Sequence, residues 1–184
     1  MDSKKIILGI DPGTQILGYG VIETSGNKAG YVSMGVIDLR KLTDHYQKLR
    51  RIFKEVSNLI ELYSPDELAI EAPFYGKNVQ SMLKLGRAQG AAIAAALNKD
   101  MPIFEYAPKK IKLSITGKGG ASKEQVATLL SNILKIEQKP DFFDATDGLA
   151  VAYCHFMQQS ITQMDKSGSS SWESFIKSNP GRVK

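Results

Sequence analysis

Short apolar runs in the first forty residues read as strands. Ile6-Ile7-Leu8 and Ile10 predict a buried strand over 5–10, and 16–23 and 30–38 read as two more, joined through the polar turn Thr24-Ser25-Gly26-Asn27-Lys28. From Asp44 the spacing becomes helical: Tyr46, Leu49, Phe53, Val56 and Ile60 share one face, and the pattern stops near Ser64-Pro65. Residues 67–71 form a short predicted strand and 78–98 a long helix. The middle of that helix (Gly86, Gly90 and 91–96) is small-sided, which suits close approach of another helix. A fifth strand is expected at 102–106 and a helix at 108–115, followed by the loop Thr116-Gly117-Lys118-Gly119-Gly120. Ser122 with Gln125 three residues on is a capping-box pair for a helix at 123–135. Asp144 opens a last helix to about Gln159.

Three strands in sequence, then strands alternating with helices, predict an α/β chain: a mixed five-stranded sheet with helices on both faces. Residues 1–160 make one domain. The stretch 161–184, rich in Ser and Lys around a lone Trp172, reads as a disordered tail.

Composition narrows the function little. With 184 residues, 23% charged and 42% hydrophobic, the chain suits one ordinary soluble domain. The formal charge of +5 leans towards a polyanionic partner. Cys154 is the single cysteine, so no internal disulfide forms, which fits a reducing, cytoplasmic setting. No stretch reads as a signal peptide or membrane span. Two His and one Cys argue against a zinc cage, so any metal would be held by oxygen ligands.

Four acids stand out. Asp11 closes the first strand before Pro12-Gly13, and Glu71 closes Leu68-Ala69-Ile70 ahead of Pro73. Asp144 and Asp147, at i and i+3, lie on one face at the head of an apolar helix. Each has a bland reading: turn residue, strand-end acid, or N-cap and first-turn acids favoured by the helix dipole. Together they occupy element ends expected to meet at the centre of the sheet. Carboxylates gathered there repel unless a cation sits among them, and four would suit a pair of Mg2+ ions. His155, two turns further along, reads as structural or surface.

The basic residues are focused. Lys109, Lys110, Lys112, Lys118 and Lys123 fall within 107–123, which carries no acid and flanks the glycine loop, so backbone N–H groups also stand in reach of phosphates. Phe74 and Tyr75, next to Lys77, offer rings for stacking on an unpaired base.

On these residues the chain resembles the RuvC family of Holliday-junction resolvases. The resemblance is carried by Ile7-Leu8-Gly9-Ile10-Asp11-Pro12-Gly13 with Gly18-Tyr19-Gly20-Val21-Ile22, and by Ala69-Ile70-Glu71 through Phe74 and Lys77-Asn78. It continues in Leu83-Lys84-Leu85-Gly86-Arg87-Ala88-Gln89-Gly90, Phe104-Glu105-Tyr106-Ala107-Pro108 and Asp144-Ala145-Thr146-Asp147-Gly148-Leu149-Ala150, all in order over roughly 5–158. It implies a ribonuclease-H-like fold and a homodimeric endonuclease that nicks four-way junction DNA symmetrically, using two Mg2+ ions per site with Mn2+ as a substitute. The implied catalytic and metal-binding residues are Asp11, Glu71, Asp144 and Asp147. Phe74 is the implied base-contacting ring, and Lys112 and Lys123 the implied junction-contacting lysines, to which the basic cluster adds Lys118 and the aromatic turn adds Lys77. The helix with Gly86 and Gly90 resembles the dimer element, and the implied partners are proteins of RuvA and RuvB type. Ala72-Pro73, where bulkier residues are usual, and the extra acid Asp141 are departures from the pattern. An actin/hexokinase-type ATPase, suggested by Asp11-Pro12-Gly13-Thr14, would need a second domain for which the chain has no room. A catalytically silent junction-binding scaffold is disfavoured by the intact acid quartet.

Overall fold

In the computed structural model, residues 4–73, 78–137 and 143–167 are described, the last seven by backbone alone. The elements are β1 (Lys5–Asp11), β2 (Ile16–Ser25), β3 (Lys28–Asp38), α1 (His45–Tyr63), β4 (Glu67–Glu71), α2 (Val79–Leu97), β5 (Ile103–Tyr106), α3 (Pro108–Thr116), α4 (Lys123–Leu134) and α5 (Phe143–Ser167). One mixed sheet runs in the order β3-β2-β1-β4-β5. The first three strands form an antiparallel meander, while β4 lies parallel to both β1 and β5.

Strand alternation sorts the apolar residues to two cores. Leu8, Ile10, Leu68 and Ile70 face α1 and α2, whereas Ile7 and Ala69 face α3, α4 and α5. By the same parity Asp11, Glu67 and Glu71 belong to the α5 side. Helix α5 lies very close to the sheet on that side, because glycines face each other across the contact. A Cβ at Gly20 would come within 2.2 Å of Leu149 Cα, and one at Gly148 within 2.5 Å of Tyr19 Cα.

The expected elements are all present, with shifts that have local causes. The first hairpin is tighter than expected: β2 reaches Ser25 and β3 starts at Lys28, since Gly26, at φ 55°, takes the first corner of a two-residue turn. Asp44 caps α1 by accepting from Gln47 N at 2.8 Å, and Ser64, in the left-handed region ahead of Pro65, ends it. The buried face of α1 runs through Lys48, Ile52, Val56, Leu59 and Ile60. Tyr46, 72% exposed, and Phe53 lie off it, contrary to the sequence expectation. The Ser122/Gln125 capping box forms as expected. Helix α5 continues to Ser167, beyond the expected end near Gln159, so 161–167 of the expected tail are helical, while 168–184 lie outside the described residues.

Candidate active site

Parallel pairing of Ile10 with Ile70 sets the ends of β1 and β4 side by side, so Asp11 and Glu71 leave the sheet as neighbours on the α5 face. Helix α5, drawn in by the glycine contacts, brings Asp147 over them. These three acids line one cavity of about 210 Å3 together with Pro108, Ile111, Lys112, Lys123, Val126 and Ala150.

Asp144 is placed differently. It stands one turn earlier on α5, where its backbone carbonyl rests against Gly18 of β2, and it does not line the cavity. Its charge still reaches Asp11 and Lys123. It also reaches Arg40, whose guanidinium is clamped to Asp38 at 2.7 and 3.0 Å. Three of the four acids therefore converge, with the fourth at the rim.

Electrostatics of the site are those of excess negative charge. Burial, then repulsion from Glu71 and Asp147, pushes the Asp11 carboxyl well above the usual range. Burial and Asp147 likewise push Glu71 up to about 7, against the pull of Lys123 and Lys112. Lys123 provides the counter-charge. Burial works against its ammonium, yet the bond it donates to Asp147 Oδ2, with the fields of Asp147, Asp11 and Asp144, raises its pKa overall.

The donor set fits a hard divalent cation: carboxylate oxygens converging at the ends of two strands, unstable as anions without positive charge among them. Among the described residues, no group of three His, Cys, Asp or Glu side chains is gathered tightly enough to enclose an ion alone. Mg2+ does not require such a cage, since it is commonly held by one or two carboxylates, waters and substrate phosphates.

The basic cluster divides. Lys112 and Lys123 belong to the cavity itself, Lys112 also donating to Ala121 O at 2.9 Å. Lys118 sits in the exposed glycine loop. There Gly117 N is bonded to Leu113 O, Lys118 N to Thr116 Oγ1 and Ala121 N to Lys118 O, so these three N–H groups are already engaged. Phe74, Lys77 and Asp141 lie outside the described residues.

Two further residues steady the acids and carry no motif signal. Gln89, the buried polar residue of α2, donates to Glu71 O at 3.3 Å and Glu105 Oε2 at 2.9 Å. Lys48 of α1 is buried and donates to Thr14 O at 3.0 Å and Gln15 Oε1 at 3.1 Å, bracing the turn after Asp11. The only sequence signal for either is a polar residue at a position whose helical phase is apolar.

With this geometry in view, similarity is informative. A family model described as "Crossover junction endodeoxyribonuclease RuvC" matches residues 7–155. The protein of that description from Bacteroides fragilis is 62% identical, over 98% of this chain and 97% of its own length. Its counterpart from Cytophaga hutchinsonii is 59% identical, over 98% and 88%. Among solved structures, Thermus thermophilus RuvC in complex with Holliday junction substrate superposes with a TM-score of 0.79 at 28% identity, covering 86% of this chain and 96% of that one.

Proposed function

The chain belongs to the RuvC family of crossover junction endodeoxyribonucleases and is a Holliday junction resolvase, and we propose that Asp11, Glu71 and Asp147, with Asp144 at the rim, are its catalytic carboxylates. The observation that carries this reading is their convergence, with Lys112 and Lys123, in one cavity at the ends of two parallel strands. Asp11, Glu71 and Asp147, which line the cavity together, are the residues that would hold Mg2+, with Asp144 contributing charge from outside its lining. When bound, the ion polarises the scissile phosphate and lowers the pKa of the attacking water. The chain's own residues do the rest. Lys123 donates to Asp147 from the cavity wall and would offer its charge to a phosphate entering there. Lys112 faces the same cavity, and the apolar walls Pro108, Ile111, Val126 and Ala150 limit water. Hydrolysis breaks the bond from phosphorus to the 3′ oxygen as the water adds. The test is cleavage of a synthetic four-way junction with and without Mg2+: the reading requires incision only with the ion, and metal-independent incision would reject it.

DNA contact by Lys112, Lys118 and Lys123 makes a quantitative prediction. Lys112→Ala and Lys118→Ala should each weaken junction affinity similarly for different sequences and shallow the salt dependence by about one phosphate contact. Lys123→Ala should do the same and also lower the rate, since Asp147 loses its partner. Unchanged salt slopes would assign these lysines to a merely solvated face. Phe74 and Lys77 are proposed to contact the junction on the strength of the family motif.

Symmetric paired nicks need two sites in two-fold relation, and we assign the dimer face to the outer side of α2. Val79, Leu83 and Leu97 are exposed there, and a Cβ at Gly86 or Gly90 would meet nothing within 4 Å of this chain. Gly90→Leu should shift the protein towards monomer in sedimentation and uncouple the two incisions. Paired incision by a protein that sediments as a monomer on the junction would refute the assignment. Proteins of RuvA and RuvB type are the proposed partners in junction delivery, and the lone, buried Cys154 is consistent with a proposed cytoplasmic location. Among the described residues no helix is long and apolar enough to cross a membrane.

A further inference from the structure

Glu67, His155 and Tyr106 form a buried hydrogen-bonded chain that takes no part in the chemistry described above. His155, 1% exposed, has Nε2 2.9 Å from Glu67 Oε2 and Nδ1 2.6 Å from Tyr106 Oη, and its ring lies against Phe104 with centroids 4.3 Å apart. Gln159 Nε2 donates to the same Glu67 oxygen at 2.6 Å, and Lys5 Nζ to the other at 2.7 Å. With the imidazole neutral, both contacts are used when Nε2–H donates to the Glu67 carboxylate and the Tyr106 hydroxyl donates to Nδ1; Gln159 Nε2 lies 3.0 Å from the same Nε2. Burial favours this arrangement by holding the His155 ring neutral, despite Glu67, and by pushing the Tyr106 phenol up to about 12.

The location of this chain gives it a consequence for cleavage. Glu67 and Glu71 are the two ends of β4 and point to the same side; His155 and Asp147 are eight residues apart on α5, which lies over that side. At standard rises the first pair spans about 13 Å and the second about 12 Å. Glu67–His155 and Glu71–Asp147 are thus two rungs between the same strand and the same helix, at matching spacing. Tyr106, the far end of the chain, is the in-register partner of Glu71 on β5.

We propose that Glu67, His155 and Tyr106 are positioning residues: the buried rung fixes α5 along β4 and β5, and thereby holds Asp147 opposite Glu71. Apolar packing alone tolerates small sliding of a helix on a sheet, whereas directional bonds between buried groups select one register. The inference rests on the assignment of Glu71 and Asp147 to the active site.

The experiment compares Tyr106→Phe and His155→Phe with Val56→Ala, a cavity variant in the opposite core that controls for general loss of stability. Asp147→Asn tests the site assignment itself. Three quantities are read on the full chain, below each variant's melting temperature: single-turnover rate on saturating junction, junction Kd, and Mg2+ affinity without DNA by calorimetry. The network variants should lose about 10- to 100-fold in rate, the scale expected of an ångström-level misplacement. Their junction Kd should stay within about twofold, as phosphate contacts far from the network are untouched, and Mg2+ should bind more weakly. Val56→Ala should keep its rate. Wild-type rate and Mg2+ affinity in Tyr106→Phe, or losses no larger than those of Val56→Ala, would overturn the proposal even with Asp147→Asn inactive. Full activity in Asp147→Asn would instead overturn the site assignment on which it rests. If His155→Phe fails to fold, Tyr106→Phe, which removes one oxygen, decides alone.

Discussion

Asn at position 11 or 147, or Gln at 71, is expected to reduce junction cleavage by at least about 10²- to 10³-fold, the scale for removing one preorganised charge-stabilising group. Junction binding should persist or tighten, because each change removes negative charge from a surface that meets phosphates. Asp144→Asn should cost less than Asp147→Asn, since Asp144 stands outside the cavity lining. Parallel loss of binding, folding and cleavage in all four variants would make the acids structural. The metal-free protein adds a pH signature. The Glu71 carboxyl is raised from 4.5 to about 7 in the folded state, so its contribution to stability is full below about pH 4.5 and is lost as pH rises through about 7. Asp11, raised for the same reasons, acts in the same direction. Melting of the metal-free protein should therefore be lower at pH 8 than at pH 5.5. Glu71→Gln should flatten this fall, and Mg2+ at pH 8 should restore the lost stability by binding the folded state. A melting temperature that rises from pH 5.5 to 8, with no response to Glu71→Gln, would contradict this electrostatic account.

Gly148→Ala should be among the most damaging substitutions away from the charged groups. The added Cβ would meet Tyr19 backbone atoms at 2.5 and 2.6 Å, and backbone within a sheet cannot turn aside as a side chain can. The expected loss is about 3 kcal/mol or more, at the upper end for overpacking. Gly20→Ala, facing Leu149 Cα, should behave alike. Either change lifts α5 from the sheet and carries Asp147 away from Asp11, so residual cleavage should fall further than stability alone explains. Gly120→Ala, where nothing lies within 4 Å, is the control and should melt near the wild type. Denaturant unfolding of the three variants decides the matter, and equal stabilities would disprove the close-contact argument.

Much of the architecture was legible because its signals are local. The apolar runs of β1 and β4, the capping box at Ser122 and Gln125, and the placing of the acids at element ends are properties of adjacent residues, and each appears where the sequence predicts it. Tyr46 and Phe53 show the limit. They share a helical period with Val56 and Ile60, but which side of α1 is covered depends on where α2 and the sheet lie. The basic run at 107–123 was visible as charge. That Lys123 would bond Asp147, and Lys112 share the cavity, required α3, α4 and α5 to pack together on one face of the sheet.

The sequence by itself determined the element order, the two-sided core and the identity of the acids, because hydrophobic periodicity and chain-end chemistry act over a few residues. Only the tertiary structure decided that Asp147 enters the cavity while Asp144 stays at its rim. It alone showed that His155 is a buried partner of Glu67, 88 residues away in the chain. Register between a helix and a strand is set by contacts distant in sequence, and such contacts leave no periodic trace in either segment.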